Sequence, residues 1–160
     1  MVVTINGSTG ITMPAEGLAA NALGNGGIIQ AVDTGLVPSF NTASTSYVDI
    51  TDATLSITPR TNTNKILIMW TCYTSHSLVS SSNAQTHFKL LRDSTKLHES
   101  AHSAENSAGG LQTKMTCNMI VPDNPTTASA ITYKMQIKTT HAASNPYLWE
   151  GRLTALEIVA

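Results

Sequence analysis

The chain has 160 residues, of which 41% are hydrophobic and only 12% charged, with a formal net charge of −1. That length can bury one sizeable core and carry an arm besides, but it does not suffice for two full domains. No stretch of five residues holds more than two Lys or Arg, so nothing can neutralise a row of phosphates and a nucleic-acid partner is excluded.

The polar surface must instead be built from hydroxyls and amides, because the chain contains 23 Thr and 16 Ser. Such a composition favours strands and turns over surface helices, which draw on Glu and Lys. The longest purely apolar run, Ile66 to Trp70, is far short of the roughly 20 residues a membrane span needs, so membrane insertion is not expected. Met1-Val2-Val3-Thr4 lacks the charged start and apolar segment of a signal peptide, so the product is expected to stay in the cell that makes it.

Residues 1–27 contain six glycines and no aromatic residue or sustained period, and cannot form a core alone. They read as an N-terminal attachment arm, ordered against a partner or around a symmetry axis. Its candidate contacts are Val3, Ile5, Ile11, Met13, Leu18 and Leu23. From residue 28 the pattern is that of strands, predicted over Ile28–Val37, Tyr47–Thr58, Lys65–Tyr73, Gln85–Arg92, Thr95–Ala101, Leu111–Val121, Ile131–Lys138 and Tyr147–Val159. Gly, Pro, Asn and Ser clusters bound them. Period-two alternation is clearest in Leu111–Val121 and Ile131–Lys138, where one face is apolar and the other wet. A tight hairpin turn is expected at Asp93-Ser94, without the usual Gly. The fold class is therefore all-β: an antiparallel, jelly-roll-like β-sandwich over residues 28–160, preceded by the extended arm.

Strand Lys65–Tyr73 is apolar on both faces. Ile66, Ile68 and Trp70 face one way while Leu67, Met69 and Tyr73 face the other, which a sandwich layer open to water does not tolerate. Leu67, Met69 and Tyr73 are thus candidates for a subunit interface, unless the arm or a loop covers them within the monomer. Cys72 and Cys117 lie in alternating stretches and are expected to pack as small apolar side chains rather than as a disulfide. If successive strands run up and down, the arm and the C-terminus share one pole. The longer polar connections, Pro38–Ser46, Thr74–Ala84, His102–Gly110 and Thr139–Pro146, then gather at the other, as a binding surface requires.

At that distal pole, His76, His102 and His141 are expected in loops. A metal or pH-sensitive site is the alternative to solvated histidines, but no Cys or carboxylate accompanies them at ligand spacing. Ser80, Ser81, Asn83, Asn106 and Asn145 offer groups that hydrogen-bond sugar hydroxyls. Tyr73, Tyr147 and Trp149 offer rings that stack on sugars or pack against a subunit. No nucleophile motif, phosphate-binding loop or zinc signature is present, so neither catalysis nor a cofactor is expected.

Several segments in order resemble a domain recurrent in tail fibres and other virion appendages of tailed bacteriophages, notably the cyanophage and marine phage type. They are Ser44-Thr45-Ser46-Tyr47-Val48-Asp49-Ile50-Thr51 running into Leu55-Ser56-Ile57-Thr58-Pro59, then Asn64-Lys65-Ile66-Leu67-Ile68. Leu91-Arg92-Asp93-Ser94-Thr95, Ile131-Thr132-Tyr133-Lys134-Met135-Gln136 and Leu153-Thr154-Ala155-Leu156-Glu157-Ile158 continue the series. The start Thr4-Ile5-Asn6-Gly7-Ser8-Thr9-Gly10-Ile11 resembles fibre segments that precede such heads. The resemblance implies a homotrimeric virion protein, a short tail fibre held by its arm to a tail or baseplate protein. Its distal loops would contact the host envelope, including surface polysaccharide. The alternative is a capsid decoration protein that binds capsid subunits at a symmetry axis and stabilises the shell. Catalytic or receptor residues are not carried over, and the chain departs from long fibres in having almost no shaft.

Overall fold

The computed structural model describes residues 4–6, 10–12, 26–77, 84–104 and 112–160. Every regular element among them is a strand, as expected where β-branched residues alternate with polar ones. In the arm, β1 (Thr4–Asn6) pairs with β2 (Gly10–Thr12), which sets Ile5 opposite Ile11. The arm residues Val3, Met13, Leu18 and Leu23 lie outside the described residues.

Eight strands build the sandwich: β3 (Ile28–Asp33), β5 (Val48–Ile57), β6 (Lys65–Ser77), β7 (Ala84–Arg92), β8 (Thr95–Ala104), β9 (Gln112–Asp123), β10 (Ile131–Thr139) and β11 (Asn145–Ile158). They match the eight predicted strands. The two-residue β4 (Phe40–Asn41), pairing with β11, was not expected. One sheet runs β3-β11-β6-β9, the other β5-β10-β7-β8, and every pairing is antiparallel. The chain crosses between layers in the interleaved order of a jelly roll.

Pairing fixes the two poles. The Gly26 N–H donates to the Val159 carbonyl at 2.8 Å, and the Val159 N–H donates to the Gly27 carbonyl at 2.9 Å. The chain thus enters the sandwich where β11 ends, as the count of strand directions implies. The distal pole gathers the connections 34–47 and 140–144 with the adjoining ends of β6, β7, β8 and β9; segments 78–83 and 105–111 lie outside the described residues. At the near pole the β7–β8 hairpin turns on Asp93, which takes a left-handed φ of 51°, a conformation that Asp tolerates better than most residues. Its carboxylate also accepts the Thr132 N–H at 3.0 Å.

Inward side chains of both sheets close one core, in which Trp70, Tyr133, Phe88, Ile68, Ile137 and Leu153 are fully buried. The buried carboxylates inside it are paired, as burial requires, whereas Trp70 Nε1 and His76 Nε2 have no hydrogen-bond partner among the described residues. Asp123 of β9 accepts two bonds from Arg92 Nη1, at 2.8 and 2.9 Å, and one from the Tyr133 hydroxyl at 2.7 Å, tying the layers together. Burial, and then Asp123, push the Tyr133 phenol upward. Fully buried Glu157 accepts the Asn64 side-chain amide and the Arg60 N–H, both at 2.6 Å, which pins the β5–β6 turn to β11.

The outer faces differ. On β5-β10-β7-β8, Asp49 accepts from Lys134 at 2.9 Å and from Gln136 at 2.6 Å, and these bonds hold its carboxyl below the usual range. The Tyr47 hydroxyl donates to Glu99, which also contacts His87 at 3.3 Å and Lys96 at 3.4 Å. Lys89 and Lys138 sit over the Tyr47 ring, 3.6 and 4.7 Å from its centroid. On β3-β11-β6-β9 the register aligns Leu156, Leu67 and Pro122 in one row and Thr154, Met69 and Ile120 in the next. Ile120 is 68% exposed and Ile28 56%.

Candidate functional site

The distal half of that apolar outer face carries a groove of about 570 Å³ lined by Leu36, Thr71, Tyr73, Thr116, Glu150 and Arg152, with Cys72 and Gly151 at its base. An irregularity creates it. The pairing of β11 with β6 slips between Leu148 and Glu150, so Trp149 and Glu150 are both exposed while Leu148 and Gly151 are both buried. A bulge of this kind re-aims side chains and is frequent at functional sites. Gly151 is required there: a Cβ at this position would lie 2.5 Å from Cη2 of buried Trp70.

The bulge presents Trp149, 44% exposed, with its ring centroid 4.6 Å from that of half-buried Tyr147. The indole N–H of Trp149 donates to Ser75 Oγ at 3.2 Å, and Lys114 Nζ stands 5.7 Å from the ring. Tyr73 is 38% exposed and Leu36 66%. At the groove's edge Arg152 faces Asp33 at 3.7 Å. Burial raises the Asp33 carboxyl, but bonds from Thr154 and the Gly35 N–H, with the Arg152 charge, leave it below its ordinary value. The site thus combines fixed aromatic faces with two carboxylates, Glu150 and Asp33, and two cations, Arg152 and Lys114. It can stack on apolar ring faces and bond hydroxyls, but no activated nucleophile lies among these residues.

The expected distal histidines require correction. His76 is not in a loop: β6 runs four residues past the predicted end at Tyr73, and His76 is 3% exposed. Its Nδ1 bonds Thr86 Oγ1 at 2.6 Å, while Nε2 has no hydrogen-bond partner among the described residues, and burial pushes the imidazole below its ordinary pKa. His102 is not in a loop either. It lies in β8, half-buried, with Nε2 3.0 Å from Cys117 Sγ and its ring edge-on to Phe88. Burial withdraws the His76 side chain from the surface, while His102 is half-buried against Phe88 and Cys117. His141 stays in the distal turn, half-buried, and its Nδ1 accepts the Ala143 N–H at 3.2 Å.

Asn145 is exposed at the start of β11, and Tyr147 joins the aromatic pair. Ser80, Ser81, Asn83 and Asn106 lie outside the described residues. Leu67 and Met69 are half-buried in the near half of the outer face, and Tyr73 belongs to the groove. Leu36, Lys114, Glu150 and Arg152 escaped sequence reasoning; the available signal was the broken alternation at Trp149-Glu150-Gly151. Both cysteines are free and buried, and among the described residues no three His, Cys, Asp or Glu side chains converge to hold a metal ion.

No family model and no curated protein matches the chain. Among solved structures it is similar to the infectious bursal disease virus Gt strain, at 12% identity over 82% of this chain and 37% of that one, with a TM-score of 0.42. The Gx strain of the same virus gives 14%, 79%, 31% and 0.40. The insecticidal delta-endotoxin Cry8Ea1 of Bacillus thuringiensis gives 9%, 72%, 19% and 0.38. The chain thus spans 19 to 37% of the length of these structures, and likeness at this level assigns no family.

Proposed function

We propose that the chain is a non-enzymatic virion structural protein of a tailed bacteriophage, a short trimeric tail fibre held through its N-terminal arm. The near half of the outer β3-β11-β6-β9 face, around Leu67, Met69 and Ile120, forms the contact between subunits. The distal groove, with Tyr147 and Trp149, meets host-surface polysaccharide. Threefold repetition of a weak sugar contact supplies avidity.

The observation that carries this reading is the contrast along one sheet face. Its half next to the arm is mostly apolar, with charge only at its margins in Lys65 and Asp33, while its half away from the arm is aromatic and polar and carries the groove. An apolar surface of that kind marks a protein contact, and its position beside the arm agrees with assembly at that pole. The resemblance of the strand segments to tail-fibre heads points the same way.

Light scattering of the purified protein tests the proposal, with an expected mass about three times the 16.9 kDa of one chain. A stable monomer would instead favour the capsid decoration protein, whose apolar face meets shell subunits. For the groove, Trp149→Ala should weaken host adsorption at least about tenfold, one lost ring stack per subunit multiplied by valency. Unchanged adsorption would remove the groove from the host contact. Loss of adsorption on replacing 78–83 alone would assign that contact to that segment.

A further inference from the structure

The seam between the two sheets holds a thiol pair that the proposed assembly does not use. Cys72 of β6 and Cys117 of β9 are register partners, and both side chains face the core. Directly opposed residues of an antiparallel pair have Cα atoms about 4.5–5.5 Å apart, inside the roughly 4.4–6.8 Å range that a disulfide spans. The two thiols are close enough to shift each other's proton affinity, lowering that of Cys117 and raising that of Cys72. From the opposite layer, His102 Nε2 reaches Cys117 Sγ at 3.0 Å, and Ser100 Oγ lies 3.5 Å from the same nitrogen.

We propose that Cys72, Cys117 and His102 form a peroxide-sensitive dithiol site that closes to a disulfide between β6 and β9. Cys117 is the attacking group. The neighbouring Cys72, opposed by burial but aided by His102, lowers its thiol, while Cys117 and burial raise that of Cys72. A lowered thiol carries more of the reactive thiolate. The Cys117 thiolate attacks one oxygen of hydrogen peroxide and becomes a sulfenic acid. The O–O bond breaks, and the departing hydroxide leaves as water with the proton that Cys117 had passed to His102. Cys72 then attacks the Cys117 sulfur. The S–S bond forms, the S–O bond breaks, and the hydroxyl leaves as water with the Cys72 proton. Two thiols lose two electrons and one peroxide becomes two waters. Peroxide would enter between β8 and β9, the edge strands of the two sheets among the described residues.

The bridge would enclose the β7–β8 hairpin within one covalent loop, so the oxidised chain should melt about 5 °C higher or more. The test treats the folded, full-length protein with hydrogen peroxide, then unfolds and alkylates it for intact-mass measurement. A monomolecular product lighter by two hydrogens, with both thiols protected and restored by dithiothreitol, is the expected result. Cys72→Ser should stop at a Cys117 sulfenic acid that dimedone captures, and His102→Gln should slow the first step about tenfold. Two freely alkylated thiols in the wild-type chain after peroxide would overturn the proposal. So would a bridge between separate chains. The wild-type measurement decides even if a variant fails to fold.

Discussion

The two outer faces of this sandwich solve the same problem in opposite ways. Over β5-β10-β7-β8, Asp49, Lys134 and Gln136 bind one another, and Tyr47 is gripped by Glu99 beneath two lysines. That face is complete against water. Over β3-β11-β6-β9, Leu67, Met69, Leu156, Ile120 and Pro122 align as a mostly apolar patch, with Lys65 at one end and Asp33 on the flanking β3, before Arg152 and Glu150 appear in the distal half. Identical strand geometry therefore gives a surface of paired charges or a mostly apolar one, and the difference lies only in the outward residues.

The largest expected effect comes from charging the apolar face. If the proposed trimer forms through this face, Met69→Lys with Ile120→Lys should leave a folded monomer in light scattering, because an unpaired charge in a buried contact costs several times RT. Lys134→Glu on the opposite face should leave the mass unchanged, and equal loss of assembly from both would erase the distinction. Beneath the same sheet, Gly151→Ala drives a methyl into Trp70. It should cost about 3 kcal/mol in denaturant unfolding, and a neutral result would mean that the bulge can re-form around a side chain.

Titration separates the interior from the face of paired charges. Burial lowers the folded pKa of His76 from 6.5. Below about pH 6.5 the unfolded chain therefore takes up a proton that the folded one refuses, and stability falls with pH. His76→Gln should flatten the unfolding free energy across that window. Glu99 is held down, first by the Tyr47 hydroxyl, to about 2 from 4.5, so its contribution is complete above about pH 4.5 and fades as pH drops toward 2. Glu99→Gln should remove that acid slope alone. Smallest of all, Asp49→Asn should change stability by no more than about 0.5 kcal/mol, since Asp49 is an exposed partner whose charge water screens.

Eight strands and the separation of the poles were legible because apolar alternation runs through nearly every element, and one face of each must meet the core. Reading failed where burial is polar. Thr74 and His76 continue the inward row of β6 as hydrogen-bonding residues, so a strand end looked like a loop. Similarly, His102 seemed to belong to a polar connection because its partner Cys117 lies in another strand of the other sheet. The groove was legible only in part. Its rings could be named, but Leu36, Glu150 and Arg152 join them through a bulge that turns two consecutive side chains outward, and a period of two cannot encode that.

The opposed burial of the two tryptophans gives the protein a pair of optical reporters. Trp70, fully buried against Phe88 and behind Gly151, should emit at short wavelength and resist iodide, reporting on the integrity of the core. Trp149, on the bulge, should emit further to the red and be quenched readily. Occupation of the groove would then alter one component of the fluorescence and unfolding the other, so binding and stability can be followed in a single cuvette without a label.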